Sequence, residues 1–267
     1  TKRGEPSIMA TAVAIAAKSL RPVPTTWYGL SDTEVRLRKR YLDLIADHAV
    51  RELFRKKSVF WRTIREEHLR AGFLDVETSA LEAVPGGADA TPFVTHHNAL
   101  NQDFFLRISL ELPLKKLLVG GYEKVFEIGR VFRNEGIDRE HLQEFTEMEC
   151  YAAYWDHRQM MAFVAGLYRE VAHATWGSTV TTFGDASLEW GGVWREVDYV
   201  DAFVAATGVD PLAADRAALA ALAEKLGAPA DAALGTGRLI DLIYKKTIRP
   251  TLIEPCFLTG HPLGISP

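Results

Sequence analysis

An arginine at the end of a short strand, a polar loop, and a returning strand of alternating aromatic and acidic residues together make a set of side chains that can hold a charged ligand. In this chain the set is Arg130-Val131-Phe132-Arg133-Asn134-Glu135-Gly136, then His141 and Leu142, then Glu144-Phe145-Thr146-Glu147-Met148-Glu149-Cys150-Tyr151. The Arg133 guanidinium can clamp a phosphate or a carboxylate through two parallel hydrogen bonds. On the returning strand side chains alternate with period two, so Phe145, Glu147, Glu149 and Tyr151 share one face. An aromatic ring, two carboxylates and a phenol on one sheet face suit a ligand with a flat ring and a cationic end. The same residues also describe an edge hairpin with a surface salt bridge, and pattern alone leaves both readings open.

Other candidates are weaker when taken singly. Gly87 reads as a turn glycine. Glu111 stands at the start of a helical stretch, where the helix dipole favours an acid. His96 and His97 are adjacent and so project differently, and no carboxylate or cysteine cluster joins them, so they are read as structural and no metal ligand is assigned. Cys150 and Cys256, the only two cysteines, lie far apart and outside any Cys-x-x-Cys spacing. That excludes a disulfide framework or a structural zinc site of usual spacing, and it fits a reducing cytoplasm.

The elements that must carry these residues are read as follows. Residues 7–15 look like one strand and residues 21–26 like a proline-bearing linker. A capping box at Ser31 and Glu34 starts a helix running to Ile45, and a second helix spans Val50 to Arg70 with apolar residues at helical spacing, ended by Gly72. Short strands follow at Phe73 to Glu77, Phe93 to Thr95 and Phe104 to Arg107, then a helix from Glu111 to Gly120. The strands Val125 to Phe132 and Glu144 to Ala153 are close in sequence and should pair antiparallel. Asp156 to Trp176 is an amphipathic helix whose stripe of Met160, Met161, Phe163, Val164, Leu167 and Val171 is core. Residues of about 179–237 look like an insertion, with a hairpin around Gly184-Asp185 and an alanine-rich helix at Ala213 to Leu226. A helix from Leu239 to Ile248 and a strand from Cys256 to Thr259 follow.

With 267 residues the chain can bury a large core. Its formal net charge of −4 argues against wholesale coating of nucleic acid. Residues 1–75 are nevertheless richer in basic than in acidic side chains, and Arg36, Arg38, Lys39 and Arg40 read either as a solvated helix face or as a surface for phosphates. No run approaches the ~20 apolar residues of a membrane span, and no targeting signal is seen.

The stretch from Arg130 to Tyr151 resembles motif 2 of the class II aminoacyl-tRNA synthetases, in which Phe-Arg-x-Glu, a loop, and a strand with a further Glu recur. Its Arg133-Asn134-Glu135-Gly136 form is similar to that of the lysyl-tRNA synthetase family; the aspartyl enzymes more often carry Arg-Asp-Glu-Asp. Arg40-Tyr41-Leu42-Asp43-Leu44, Pro85-Gly86-Gly87-Ala88, Thr95-His96-His97-Asn98-Ala99-Leu100 and Leu106-Arg107-Ile108 with Glu111-Leu112 agree with the same family. So do the run from Val119 to Glu127 and the Trp27-Tyr28-Gly29-Leu30 linker. Three departures stand out: Ser79 replaces a proline that closes motif 1, Ser109-Leu110 replaces Ala-Pro, and Leu142-Gln143 replaces Asn-Pro.

The resemblance implies an α+β fold, an antiparallel sheet flanked by helices with a helical insertion after motif 2. Residues 1–30 would be a remnant of an N-terminal anticodon-binding barrel (an OB fold) plus linker, and residues 31–267 an incomplete catalytic domain. It implies activation of L-lysine with ATP to lysyl-adenylate, then transfer to tRNA(Lys). Arg133 would hold the α-phosphate and the lysine carboxylate, and the Asn134 backbone and Glu135 would lie against ATP. Phe145 would stack on adenine, with His141 and the Leu142 backbone on the distal phosphates. Gly87 and Glu111 would meet lysine's α-ammonium, and Glu149 and Tyr151 its ε-ammonium. A homodimer through the motif 1 region is implied, as is Mg2+ whose ligands are expected in a segment beyond this chain. The Gly235-Thr236-Gly237-Arg238 stretch is read as a helix opening inside the insertion, not as the family's motif 3, so the chain is expected to be a weakly active piece. Two alternatives are a paralogue that lysylates a protein and a non-catalytic regulator that binds amino acid or RNA; the barrel strand counts against the first, and intact Arg133, Glu111, Glu149 and Phe145 against the second.

Overall fold

The computed structural model describes residues 4, 6, 9–18, 20–22, 30–138, 141–228 and 233–266. Residues 7 and 8 of the expected strand, residues 23–26 of the linker and all but Leu30 of the Trp27-to-Leu30 match lie outside the described residues. The described residues 9–15 form no strand and are exposed. A lone strand has no neighbour to take its N–H and C=O groups, and none is paired there. Internal contacts divide the chain into two units, residues 1–57 and 58–267.

In the first unit, α1 (Thr33–Arg38) and α2 (Arg40–Ala46) replace the single helix expected from Ser31 to Ile45. The cap is Asp32, not Ser31: its carboxylate accepts from the Glu34 and Val35 amides at 2.8 and 3.2 Å. Lys39 leaves helical geometry at φ −114°, ψ 53° and breaks the run. Asp43 is buried, and Arg36, seven residues before it, reaches it at 2.8 Å, as does Arg40. Burial raises the Asp43 pKa, but the two guanidiniums outweigh it and hold the carboxyl below its usual range. Arg38 pairs with Glu34 at 2.9 Å. Three of the basic run's four cations are thus engaged on carboxylates, which argues against a prepared phosphate surface.

The third helix, α3, covers His48–Arg70 and ends where Gly72 takes φ +83°. In the second unit the site is built on one hairpin. The strand β5 (Lys124–Phe132) pairs antiparallel with β6 (Glu144–Ala152) in unbroken register from Lys124↔Ala152 to Phe132↔Glu144. The short strand β1 (Leu74–Asp75) joins β5 in parallel. It is shorter than the expected Phe73-to-Glu77 strand because Phe73 turns into the core, at 3 % exposure, against His68 and Phe163. A second sheet orders β2 (Leu81–Glu82), β4 (Gln102–Leu106) and β3 (Val94–His97), all antiparallel.

The hairpin's alternation sorts its residues between two layers. Ile128 and Met148 pack on Ile64 of α3 and on Leu167 and Val171 of α5 (His157–Trp176). The helix α5 is closed by a capping box between Asp156 and Gln159. On the other face Val125, Val131, Phe145 and Tyr151 pack on Leu110 and on Leu114 of α4 (Glu111–Val119).

The stretch from Val180 to Thr259 has a core of its own, which takes in part of the expected insertion and the helix after it. The hairpin of β7 (Val180–Phe183) and β8 (Ala186–Glu189) turns at Gly184-Asp185 as expected. Then come β9 (Arg195–Asp198), α6 (Tyr199–Thr207), α7 (Arg216–Lys225), α8 (Thr236–Thr247), a short 3-10 turn at Arg249–Thr251, and β10 (Cys256–Thr259), parallel to β9. Tyr199, Phe203, Leu219, Leu239 and Ile243 bury the helix faces together. Gly235 caps α8, and a Cβ on Gly237 would fall 1.9 Å from the Gly264 carbonyl oxygen. Close backbone approach therefore explains Gly237 in the Gly-x-Gly-Arg stretch. Among the described residues no helix is long and apolar enough to cross a membrane.

Candidate active site

The face of the hairpin that carries Phe145 and Tyr151 also carries three carboxylates. Glu127 lies directly across from Glu149, and Gly129 across from Glu147. Like charges opposed on one face repel and cost stability unless other groups answer them. Arg107, at 5 % exposure, answers Glu127 with a 2.7 Å ion pair, and Thr78 adds hydroxyl and amide donors at 2.6 and 3.1 Å. Gly129 makes room for this: a Cβ there would sit 2.3 Å from the Arg107 guanidinium.

Glu149 is held differently. Its Oε1 accepts from the Ser109 hydroxyl at 2.7 Å and from the Leu110 amide at 2.9 Å. Its Oε2 accepts from the Tyr151 hydroxyl at 2.9 Å. Burial first, and the Glu149 hydrogen bond next, raise the Tyr151 pKa, so the phenol stays protonated and donates. No cation is paired with Glu149 among the ion pairs of the described residues. Both donors to Oε1 come from Ser109-Leu110, the pair by which this chain departs from Ala-Pro.

Glu147 was visible in the sequence as a residue of this face but was given no role. It lies 3.6 Å from the Arg133 Nη2, and its buried Oε2 has no hydrogen-bond partner. Burial and the neighbouring Glu149 charge raise its pKa, and the Arg133 cation does not offset them. A raised carboxyl pKa adds stability below the unfolded value near 4.5, and that contribution is lost as pH rises through the folded value. Glu147→Gln is therefore expected to melt level with the parent near pH 4.5 and about 1–3 °C higher at pH 8, the effect being small because the group is partly solvated. Equal differences at both pH values would contradict this account.

The candidates for a nucleotide come together at the end of the hairpin. Arg133 follows β5, donates from Nε to the Ile108 carbonyl at 3.2 Å, and lies with its guanidinium 5.1 Å over the Phe145 ring. Arg133, Glu135, Gly136, His141, Leu142, Gln143 and Phe145 line a cavity of about 260 Å³. The Asn134 amide is tied to the Thr91 carbonyl at 2.7 Å, and the Thr91 amide donates to Glu135 Oε1 at 3.3 Å. His141 is exposed and turns its Nδ1 onto Asp138.

The candidates for an amino acid gather around the start of α4. Gly87, at φ +86°, leaves no room for a side chain: a Cβ would lie 3.0 Å from Glu111 Cβ and 3.1 Å from Ser109 Oγ. Glu111 is the first residue of α4 and pairs with Lys115 at 2.8 Å. Behind the sheet, burial pushes the Cys150 thiol up to about 11, which keeps it protonated and poorly nucleophilic. His96 Nδ1 meets Asp103 at 2.8 Å. Among the described residues no group of three or more His, Cys, Asp or Glu side chains could hold a metal.

Ser109, Arg107 and Thr91 are the site residues to which sequence reasoning gave no part in the site. The only signal for Ser109 was its place in the departure before Glu111.

Residues 32–267 match the family model described as tRNA synthetases class II (D, K and N). Among curated proteins, the chain is 47% identical over 270 residues to the lysine–tRNA ligase of Roseiflexus castenholzii (strain DSM 13941 / HLO8), covering 100% of this chain and 55% of that relative. It is 44% identical over 269 residues to the lysine–tRNA ligase of Shouchella clausii (strain KSM-K16), covering 100% of the chain and 53% of the relative. For the corresponding ligase of Carboxydothermus hydrogenoformans (strain ATCC BAA-161 / DSM 6008 / Z-2901) the figures are 43% over 268 residues, with 100% and 55% covered. The chain spans about 55% of the length of these relatives.

Proposed function

The chain belongs to the class II tRNA synthetases of the D, K and N family, and from that premise we propose that it carries the amino-acid-activating face of a lysine–tRNA ligase. The observation that carries this reading is the Glu149 carboxylate, fixed by Ser109, Leu110 and Tyr151 and not neutralised by a neighbouring guanidinium. A buried charge needs a partner, and the ε-ammonium of L-lysine would supply it. The lysine–tRNA ligases among its relatives support the choice of lysine.

In this reading Gly87 and Glu111 take lysine's α-ammonium, and Glu149 and Tyr151 its ε-ammonium. Phe145 stacks on adenine, Glu135 and the Asn134 backbone lie against ATP, and His141 with the Leu142 backbone holds the distal phosphates. The lysine carboxylate attacks the α-phosphorus in line; the bond to pyrophosphate breaks as the acyl–phosphate bond forms. Arg133 bridges carboxylate and α-phosphate and steadies the charge that builds on phosphorus. The terminal ribose hydroxyl of tRNA(Lys) then attacks the lysyl carbonyl and AMP leaves. The catalytic domain is proposed to run from residue 31 to 267, with an insertion at about 179–237. The match beginning at residue 32 supports that start. A cytoplasmic homodimer joined through the motif 1 region, with Mg2+ accompanying ATP, completes the proposal; the exposed Leu74 and Leu81 beside that region support the dimer.

The test is ATP–pyrophosphate exchange by a protein of the relatives' full length that carries these 267 residues. Exchange should depend on L-lysine and not on L-aspartate or L-asparagine. Exchange driven by either of those two, or by no amino acid, would overturn the reading.

A further inference from the structure

Ser109 occupies a singular place in the hydrogen-bonding of the site. It is 3 % exposed, and its one hydroxyl proton goes to Glu149 Oε1 at 2.7 Å. The Ser109 Oγ in turn accepts from the Glu111 amide at 3.1 Å. The Leu110 amide, in the turn that opens α4, reaches the same Oε1 at 2.9 Å. A carboxylate offers about four lone-pair positions. Ser109 and Leu110 fill those of Oε1, and Tyr151 takes one on Oε2. Oε2 keeps accepting capacity beside the phenol. Gly87 protects the arrangement, because a Cβ there would press on Ser109 Oγ at 3.1 Å.

We propose that Ser109, acting with the Leu110 amide, is a positioning residue that fixes the direction of the Glu149 carboxylate and so sets how strongly this site prefers an amino acid with a cationic tail. This deepens the reading of Glu149 as the receptor for the ε-ammonium and rests on it. Without the hydroxyl, Oε1 keeps one donor and the carboxylate can rotate about its last bond, so the ammonium meets a less ordered partner. The Glu111 amide loses its acceptor as well, but any effect of that on the α-ammonium is shared by ligands with and without a cationic tail and cancels in the ratio of their affinities.

The experiment titrates the full-length protein calorimetrically with L-lysine, with L-norleucine (the same chain without the terminal ammonium), and with ATP. Ser109→Ala is expected to raise the lysine Kd about tenfold, the worth of one hydrogen bond to a charged group, to weaken norleucine clearly less, so that the lysine-to-norleucine ratio falls, and to leave ATP within about twofold. Ser109→Cys, close in size with a weak S–H donor, should fall between the two and serves if the alanine variant does not fold. A merely structural serine would weaken all three ligands together or leave the lysine-to-norleucine ratio unchanged, and either result overturns the proposal. Glu149→Gln is run beside it. A ratio that collapses in Glu149→Gln but holds in both Ser109 variants defeats this inference alone. A ratio that holds in Glu149→Gln as well defeats the underlying assignment of Glu149.

Discussion

Arg133→Ala is expected to slow lysine-dependent ATP–pyrophosphate exchange by about 10²–10³ and to leave the protein folded. The guanidinium follows the last residue of β5, lines the cavity with Phe145, and among the described residues is anchored through one hydrogen bond, from Nε to the Ile108 carbonyl. Its remaining N–H groups are therefore available to bridge a carboxylate and a phosphate, apart from the loose 3.6 Å contact with Glu147. Charge on the α-phosphate oxygens is greatest in the transition state, so the loss should fall mainly on kcat and less on the KM for ATP. Arg133→Lys should recover little, because an ammonium is a point charge and cannot fork between two oxygens. Removing the cation also takes away the Arg133 charge that lowers the Glu147 pKa, which should then rise further. Exchange within about threefold of the parent would make Arg133 a structural partner of Glu147 and end its assignment as the α-phosphate clamp.

What was legible in the sequence is what depends on short-range periodicity. The β5–β6 hairpin could be read because period-two alternation over nine residues a side allows one register, and the structure pairs Lys124 with Ala152 through Phe132 with Glu144. The face of Phe145, Glu147, Glu149 and Tyr151 followed from that alternation. The core stripe of α5 followed from helical spacing, with Leu167 and Val171 buried as expected. What was not legible depends on partners distant in sequence. Arg107 and Glu127 are 20 residues apart, and Ser109 and Glu149 are 40 apart; nothing local to either marks the pair. Gly129 looked like any strand glycine, and only the Arg107 side chain lying over it explains the missing Cβ. The cap at Asp32 and the break at Lys39 show a further limit. Ser31 and Asp32 are both good capping residues, and tertiary demand decided between continuing the helix and breaking it: Arg36 had to reach the buried Asp43. The pairing of β1 with β5 in parallel joins strands about fifty residues apart, and no pattern in either announces it.

The second large effect is expected from Glu149→Gln, which should weaken L-lysine binding by about 2–4 kcal/mol, roughly 30- to 1000-fold in Kd. The substitution is nearly isosteric, and the glutamine carbonyl oxygen can still accept from Ser109 and Leu110, as Oε1 does now. The amide nitrogen would take the place of Oε2, where the Tyr151 hydroxyl can turn and accept instead of donating. The local fold therefore has no reason to change, and the difference measured is the loss of one charge opposite the ε-ammonium. In water that charge would be screened and worth little. Here Glu149 is half-buried and held by donors from the start of α4, and an ammonium brought to it gives up part of its own hydration, so a neutral partner leaves that desolvation uncompensated. The proposed ATP contacts lie at the far end of the hairpin face, around Arg133 and Phe145, and the Kd for ATP should move by less than about twofold. Calorimetric titration of parent and variant with each ligand in turn makes the comparison. Equal losses for lysine and ATP would mean that Glu149 supports the hairpin and does not read the side chain. Loss confined to lysine would place the selectivity of the enzyme on one carboxylate and the three donors that hold it.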